Sequence, residues 1–108
     1  MEYIVRIPSS VKKDLEEIIE FYLEDSPEYA KIFDALSSRI TSLKYFPTKG
    51  RVVPELFEHK INEYRELWES YWRIIYWIEN EIVEIYTIID ARRNAQDLLV
   101  EKLQRKFV

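Results

Sequence analysis

The stretch from Tyr71 to Ile89 restricts the fold more than any other part of the chain. Two alternating runs, about Tyr71–Glu79 and Ile82–Ile89, flank Asn80-Glu81. Asparagine tolerates the positive φ that a tight hairpin turn requires. A two-residue turn there sets Glu79 opposite Ile82, Trp77 opposite Glu84, Ile75 opposite Tyr86 and Arg73 opposite Ile88. Directly opposed residues share a sheet face. One face then collects Trp72, Ile74, Tyr76, Ile78, Val83, Ile85, Thr87 and Ile89, and it must pack against helices. The other carries Arg73, Ile75, Trp77, Glu84 and Tyr86, joined by Asp90 and Arg92 if the strand parity persists. A further strand, about Tyr64–Glu69, with a turn at Glu69-Ser70, sets Glu66 opposite Arg73 and adds Tyr64 and Trp68 to the same face. Arginines, carboxylates and large aromatics together have the composition of an interface.

Helices to cover the apolar face lie upstream. "EYIVRI" (Glu2–Ile7) reads as a strand ending at Pro8, and Ser9 or Ser10 offers an N-cap. Val11, Leu15, Ile18, Ile19 and Tyr22 recur at helical spacing, giving a helix to about Glu24. Ser26 can cap a second helix, with Pro27 at its first position and Glu28 favouring the dipole. Tyr29, Phe33, Leu36, Ile40 and Leu43 line its apolar face, and it stops near Phe46, before Pro47. "PTKGRVVPELFEHKI" (Pro47–Ile61) reads as the one long irregular stretch, with Lys49 and Arg51 near its tip. Asn94 and Asp97 open a last helix to about Lys106. The order β-α-α-β-β-β-α predicts an α+β fold in one domain spanning residues 1–108. Its antiparallel meander sheet packs against an N-terminal helical hairpin and a C-terminal helix.

Composition removes several kinds of chemistry. With 108 residues, 47% of them hydrophobic, the chain can build one core. It has no cysteine, and His59 is its single histidine, so disulfides, histidine zinc sites and Ser-His-Asp triads lack parts. Gly50 is the only glycine, which excludes glycine-rich phosphate loops. No metal and no cofactor are expected. A net charge of −4 argues against a general nucleic-acid binder. No signal peptide and no membrane-length apolar run are visible, so the expectation is a soluble cytoplasmic protein with no membrane partner. Plentiful Glu, Lys and Ile, with glutamine only at Gln96 and Gln104, hint at a thermophile.

The charged residues admit sharp and plain readings. Arg92 and Arg93 stand where a helix begins, against its dipole. Two guanidiniums beside free helix N–H groups make an anion site, and we take that reading over neutralisation by Asp90 and solvent. Arg73 divides evenly between a target or phosphate contact and a cross-strand pair with Glu66. Lys49 and Arg51 are target-binding candidates on a loop, where solvated charge is the simpler reading. Tyr64, Trp68, Trp77 and Tyr86 form the expected partner surface. His59 reads as a loop residue, and the acidic stretch from Asp14 to Asp34 as the solvated face of the helical hairpin.

The strand–helix–helix opening, "FPTKGRVVPEL", "YRELWESYWRIIYWIEN" and "TIIDARRN", in this order and spacing, resemble the RelE/ParE superfamily. These are toxins of type II toxin–antitoxin modules, and the resemblance covers nearly the whole chain. It implies a cognate antitoxin that wraps the toxin, with a homodimer kept open. It also implies one of two activities: RelE-like members cut mRNA on the ribosome, and ParE-like members inhibit DNA gyrase. Arg73 and Arg93 match two arginines of the RelE-type nucleases, and would be the catalytic pair in that case. The nuclease tyrosine falls at Leu99, however, and two nuclease lysines fall at Tyr64 and Glu66. RNA cleavage needs a group to activate the 2′-hydroxyl and cations to stabilise the phosphorane. Leu99 can do no proton chemistry, and Glu66 would neutralise Arg73. The ParE-like "H-G-R-R" pattern is nearer to "D-A-R-R" at Asp90–Arg93. The expectation is therefore a ParE-like toxin of the plasmid-stabilisation, growth-inhibiting kind. It acts by binding, with DNA gyrase as target, through Arg73, Arg92, Arg93, Lys49 and Arg51. The alternatives are a ribosome-dependent mRNA endoribonuclease and an inactive relative keeping only the antitoxin-binding surface.

Overall fold

The structure is a computed structural model that describes residues 2–23, 28–70 and 72–91. Its elements are β1 (Ile4–Arg6), α1 (Ser9–Leu23), α2 (Glu28–Ser42), β2 (Arg51–Val52), α3 (Pro54–Phe57), β3 (Tyr64–Glu69), β4 (Trp72–Glu79) and β5 (Ile82–Asp90). The α+β class holds. Strands β3 to β5 form the expected meander, the unexpected β2 extends it by one strand, and the five-stranded sheet has the order β1-β5-β4-β3-β2. β1 pairs with β5 in parallel, so the sheet is antiparallel except at that edge. Arg92, Arg93, Asn94, Leu99 and the C-terminal helix lie outside the described residues. So do the cap at Ser26 and Pro27 and the side chains of Ile18, Ile19, Tyr22 and Tyr29.

α1 starts one step earlier than its serines suggested. The Pro8 carbonyl already accepts the N–H groups of Val11 and Lys12, which makes Pro8 the entry residue. Val11, Leu36, Ile40 and Leu43 bury against Leu67, Trp72, Ile74, Tyr76, Val83, Ile85 and Ile88 of the sheet. This helix-side core matches most of the apolar face read from alternation. Phe33 departs from it: it is 42% exposed, and Ile32 packs at the core instead. The buried stripe of α2 runs 32, 36, 40 and continues to Leu43 just past its end, so Phe33 falls past its margin.

Two registers differ from the expected ones. At the first hairpin Glu69 pairs with Trp72, so Glu69 belongs to the ladder and not to the turn expected at Glu69-Ser70. Ser70 takes the positive φ (55°) that this turn demands. Glu66 consequently faces Ile75, Trp68 faces Arg73 and Tyr64 faces Trp77. The slip is two residues, so every side chain keeps its face. At the second hairpin Asn80 has φ 57°, and Glu79–Ile82, Ile78–Val83 and Trp77–Glu84 pair as expected. The ladder then slips between Ile75 and Tyr76: Tyr76 faces Ile85, but Ile75 faces Thr87, Ile74 faces Ile88 and Arg73 faces Ile89. Tyr86 is the extra residue of a β-bulge, and bulges break strict alternation. Thr87 and Ile89 therefore leave the helix side for the opposite face. Asp90, paired with Trp72, moves to the helix side.

The opposite face is not an open interface. The stretch expected to be irregular supplies β2 and the one-turn α3, and it lies over the sheet as a lid. Val53 and Leu56 of this lid, with Tyr64, Ile75 and Ile89, form a second core, against which Ile61, Trp77 and Tyr86 pack. Pro54 at the first helical position and Glu55 in the first turn favour α3 locally.

Candidate functional site

A chain of charges crosses the boundary between lid and sheet. Arg73, on β4, is only 4% exposed. Its Nε donates to Glu66 Oε2 at 2.7 Å, and its NH2 group also contacts that carboxylate. Its two terminal nitrogens grip Glu55 of α3, NH2 donating to Oε1 at 2.8 Å and NH1 to Oε2. Glu66, on β3, has a fully buried side chain and takes a second arginine, Arg51 of β2, whose Nε donates to Oε1 at 2.7 Å. The Arg73 guanidinium lies over the ring of Trp68, 5.2 Å from its centroid. Two arginines thus share two carboxylates in an alternating row. Its two central members, Glu66 and Arg73, are buried, and such charges persist only when they satisfy one another.

The pKa directions follow from this geometry. Hydrogen bonds from Arg73 hold the Glu55 carboxyl below its ordinary value, against the opposing effect of burial. Burial disfavours the charge on Arg73, but the hydrogen bonds to Glu55 and Glu66 outweigh it and raise its pKa above the ordinary arginine value. Arg73 stays charged with its donors committed to carboxylates. The cross-strand pair with Glu66 is the reading of Arg73 that the structure shows. The diagonal contact survives the register slip because the guanidinium spans it.

Beside this row sits an aromatic cluster. Tyr64 meets Trp77 edge to face at 5.6 Å and Tyr86 at 5.4 Å. Tyr64 is 4% exposed, and burial, with smaller effects from Tyr86 and Glu63, pushes its phenol up to about 12. Tyr64 is therefore a core residue, which corrects its placement on a partner surface. The lid covers it. Trp77 and Tyr86 are half-buried, and Trp68 is 41% exposed. Of the four aromatics expected to meet a partner, Trp68 presents the largest open area.

The lid is pinned at its other end by the sole glycine. The Gly50 N–H donates to the Tyr76 hydroxyl at 2.9 Å, and that hydroxyl donates to the Pro47 carbonyl at 2.8 Å. A Cβ on Gly50 would lie 2.5 Å from both the Glu66 carbonyl oxygen and the Tyr76 hydroxyl. Arg65 adds a bond from NH1 to the Gly50 carbonyl at 2.7 Å. Lys49 is exposed, as expected of a solvated loop charge, whereas Arg51 is on a strand and tied to Glu66.

Glu55 is not singled out from the sequence, and Tyr76 is read there only as a residue of the core face. Glu55 had a usable signal: "VVPEL" places apolar residues on both sides of a helix-starting Pro-Glu, too apolar for a solvated loop. Among the described residues, no group of His, Asp and Glu is arranged to hold a metal ion, and no helix is long and apolar enough to cross a membrane.

Comparison with known proteins accords with this arrangement. Among solved structures the fold is similar to the RelBE2 toxin–antitoxin complex of Mycobacterium tuberculosis, with a TM-score of 0.61 and 17% identity, covering 83% of this chain and 92% of that one. No curated protein matches the chain by sequence. The family model for the ParE toxin of type II toxin–antitoxin systems matches residues 5–95, and the chain belongs to that family.

Proposed function

We propose that this protein is a cytoplasmic ParE-like toxin that acts by binding its cellular target, with DNA gyrase as the target the family implies, and that a cognate antitoxin neutralises it. The observation that carries this reading is the commitment of Arg73 to Glu55 and Glu66. In a nuclease reading, Arg73 would have to meet a scissile phosphate. Here it is buried, its charge is balanced by two carboxylates, and the two positions that would hold nuclease lysines, Tyr64 and Glu66, are buried side chains that supply no cation. Cations that stabilise a phosphorane must be free to reach it. The target surface then rests on Arg92, Arg93, Lys49 and the exposed side of Arg51. The antitoxin, whose partnership the toxin family implies, would find open apolar area at Trp68. It would find more in the groove between β1 and α2, lined by Tyr3, Ile4, Val5, Ile7, Ile40 and Lys44.

Inducible expression in bacteria, with DNA supercoiling and mRNA integrity followed in parallel, tests the reading. Growth arrest with altered supercoiling and intact mRNA is the expected result. Cuts within the ribosomal A-site codon that vanish in Arg73→Ala would promote the endoribonuclease alternative. Absence of growth arrest would point to an inactive relative.

A further inference from the structure

The two carboxylates on Arg73 are held in different ways. Glu66 has no exposed side-chain surface, sits in the middle of a six-residue strand and is bonded from both sides by arginines. Glu55 is 20% exposed at its side chain, stands on a four-residue helix and, among the described residues, has Arg73 as its one salt-bridge partner. Its backbone is fixed, because Val53 and Leu56 on either side are fully buried. Removing the Glu55 carboxylate from Arg73 therefore needs only a side-chain rotation, with no opening of the lid. What rotation leaves behind is a planar fork, NH1 and NH2 of Arg73, walled by the exposed indole of Trp68. Arg51 and Arg73 would then share the single charge of Glu66, so the seat carries one net positive charge. Its geometry is already matched to a carboxylate, since Glu55 binds it through both oxygens.

We infer that Arg73 and Trp68 form a carboxylate seat that Glu55 occupies within the chain, and that an acidic side chain of a protein partner takes when Glu55 turns out to solvent. The inference rests on the reading that this protein acts by binding proteins. Glu55 then acts as an internal competitor. It keeps a buried arginine satisfied in the free protein and lowers the affinity of every acidic partner by the strength of its own contact. Because the backbone of α3 stays in place, the exchange leaves the second core intact.

The test uses the full chain with acetate as the probe and chloride at matched ionic strength as the control. Glu55→Gln and Glu55→Ala should melt below the wild type, and acetate, unlike chloride, should restore their melting temperatures and shift the tryptophan emission to which Trp68 contributes. The wild type, its seat filled, should bind acetate about tenfold more weakly or worse. Glu55→Asp, which keeps the charge one methylene short of Arg73, serves if the other two fail to fold, and should show the same selective rescue. Equal responses to acetate and chloride in every variant would make the row purely structural and overturn the inference. Rescue by inorganic phosphate in preference to acetate would also overturn it, by assigning the seat to tetrahedral oxyanions such as an RNA backbone. Both readouts come from purified protein, so they stand or fall separately from the growth, supercoiling and mRNA assays.

Discussion

The two faces of one sheet are buried by different means. On the helix side, α1 and α2 lay apolar stripes on Ile74, Tyr76, Val83 and Ile85. On the lid side, a two-residue strand and a one-turn helix cover Tyr64, Ile75 and Ile89, with a row of charges along the margin. Long amphipathic helices bring enough apolar area to hold themselves in place. A short lid does not, and this one is fastened by specific contacts: Glu55 and Arg51 to the sheet charges, and Gly50 to the Tyr76 hydroxyl. The helix side therefore depends on volume, and the lid side on particular polar partners.

The sharpest way to break this contrast is to remove the central carboxylate. Glu66→Ala leaves Arg73 and Arg51 around an empty buried position, and breaking such a pair costs about 3–5 kcal/mol. Urea unfolding should show that loss. A change under 1 kcal/mol would mean that the lid holds by apolar contact alone, like the helices.

Ile74 and Ile75 are adjacent, both fully buried, and face opposite cores. Each truncation to alanine should cost roughly 2–5 kcal/mol. Ile74→Ala should fall nearer the upper end, because its cavity lies between sheet and helices that cannot close over it, while the short lid can settle into the space left by Ile75. Equal losses in denaturant melts would erase the distinction.

Gly50→Ala should cost about 1–3 kcal/mol through overpacking, since its Cβ would meet both a backbone oxygen and the Tyr76 hydroxyl at 2.5 Å. Combining it with Tyr76→Phe sharpens the point. The double variant should lose less than the sum of the two single changes, because the phenol is one of the two clashing groups. Strict additivity in a double-mutant cycle would show that the phenol does not hold the lid.

The smallest effects are in the pH limbs, and both belong to the lid side. The folded Glu55 carboxyl titrates below its ordinary value near 4.5. Its contribution is present above that value and is lost as pH falls through the folded one, since the unfolded chain binds the proton more readily. The folded Tyr64 phenol titrates at about 12 instead of 10.0. Its contribution is complete below pH 10.0 and is lost as pH rises towards 12, because the unfolded chain gives up that proton first. Glu55→Gln should flatten the acid limb and Tyr64→Phe the alkaline one. Unaltered limbs in pH-resolved melts would detach these groups from the lid's stability.

Alternation in β4 made most of the helix-side core legible, as did the helical spacing of Val11, Leu36, Ile40 and Leu43. The lid-side core was hidden for two physical reasons. Its covering segment is too short for either period to register, so Val53 and Leu56 read as loop residues. Its sheet residues are mixed with charges, so Tyr64 and Trp77 read as surface. The pair of Arg73 with Glu66 is one of two even readings of the sequence, and it forms although the turn lies one residue later than expected, because a long guanidinium reaches a diagonal neighbour. The signal around Glu55 marks an ordered segment but not its role as the third member, since nothing local to it says which strand it will meet.

The bulge at Tyr86 makes β5 a strand written in two phases. Up to Ile85 one parity supplies the helix side, and from Thr87 onward the opposite parity does. Ile88 and Ile89 are chemically alike, yet each is committed to a different core by a count that begins at the bulge. Ironing out the bulge at unchanged length, so that Tyr86 paired with Ile75, would not act as a local lesion. It would exchange the addresses of Thr87, Ile88, Ile89 and Asp90 together, sending a carboxylate towards the lid and a threonine among the helices. The bulge is thus as much a part of the information content of β5 as its letters, and relatives are best aligned on the two sides of Tyr86 separately.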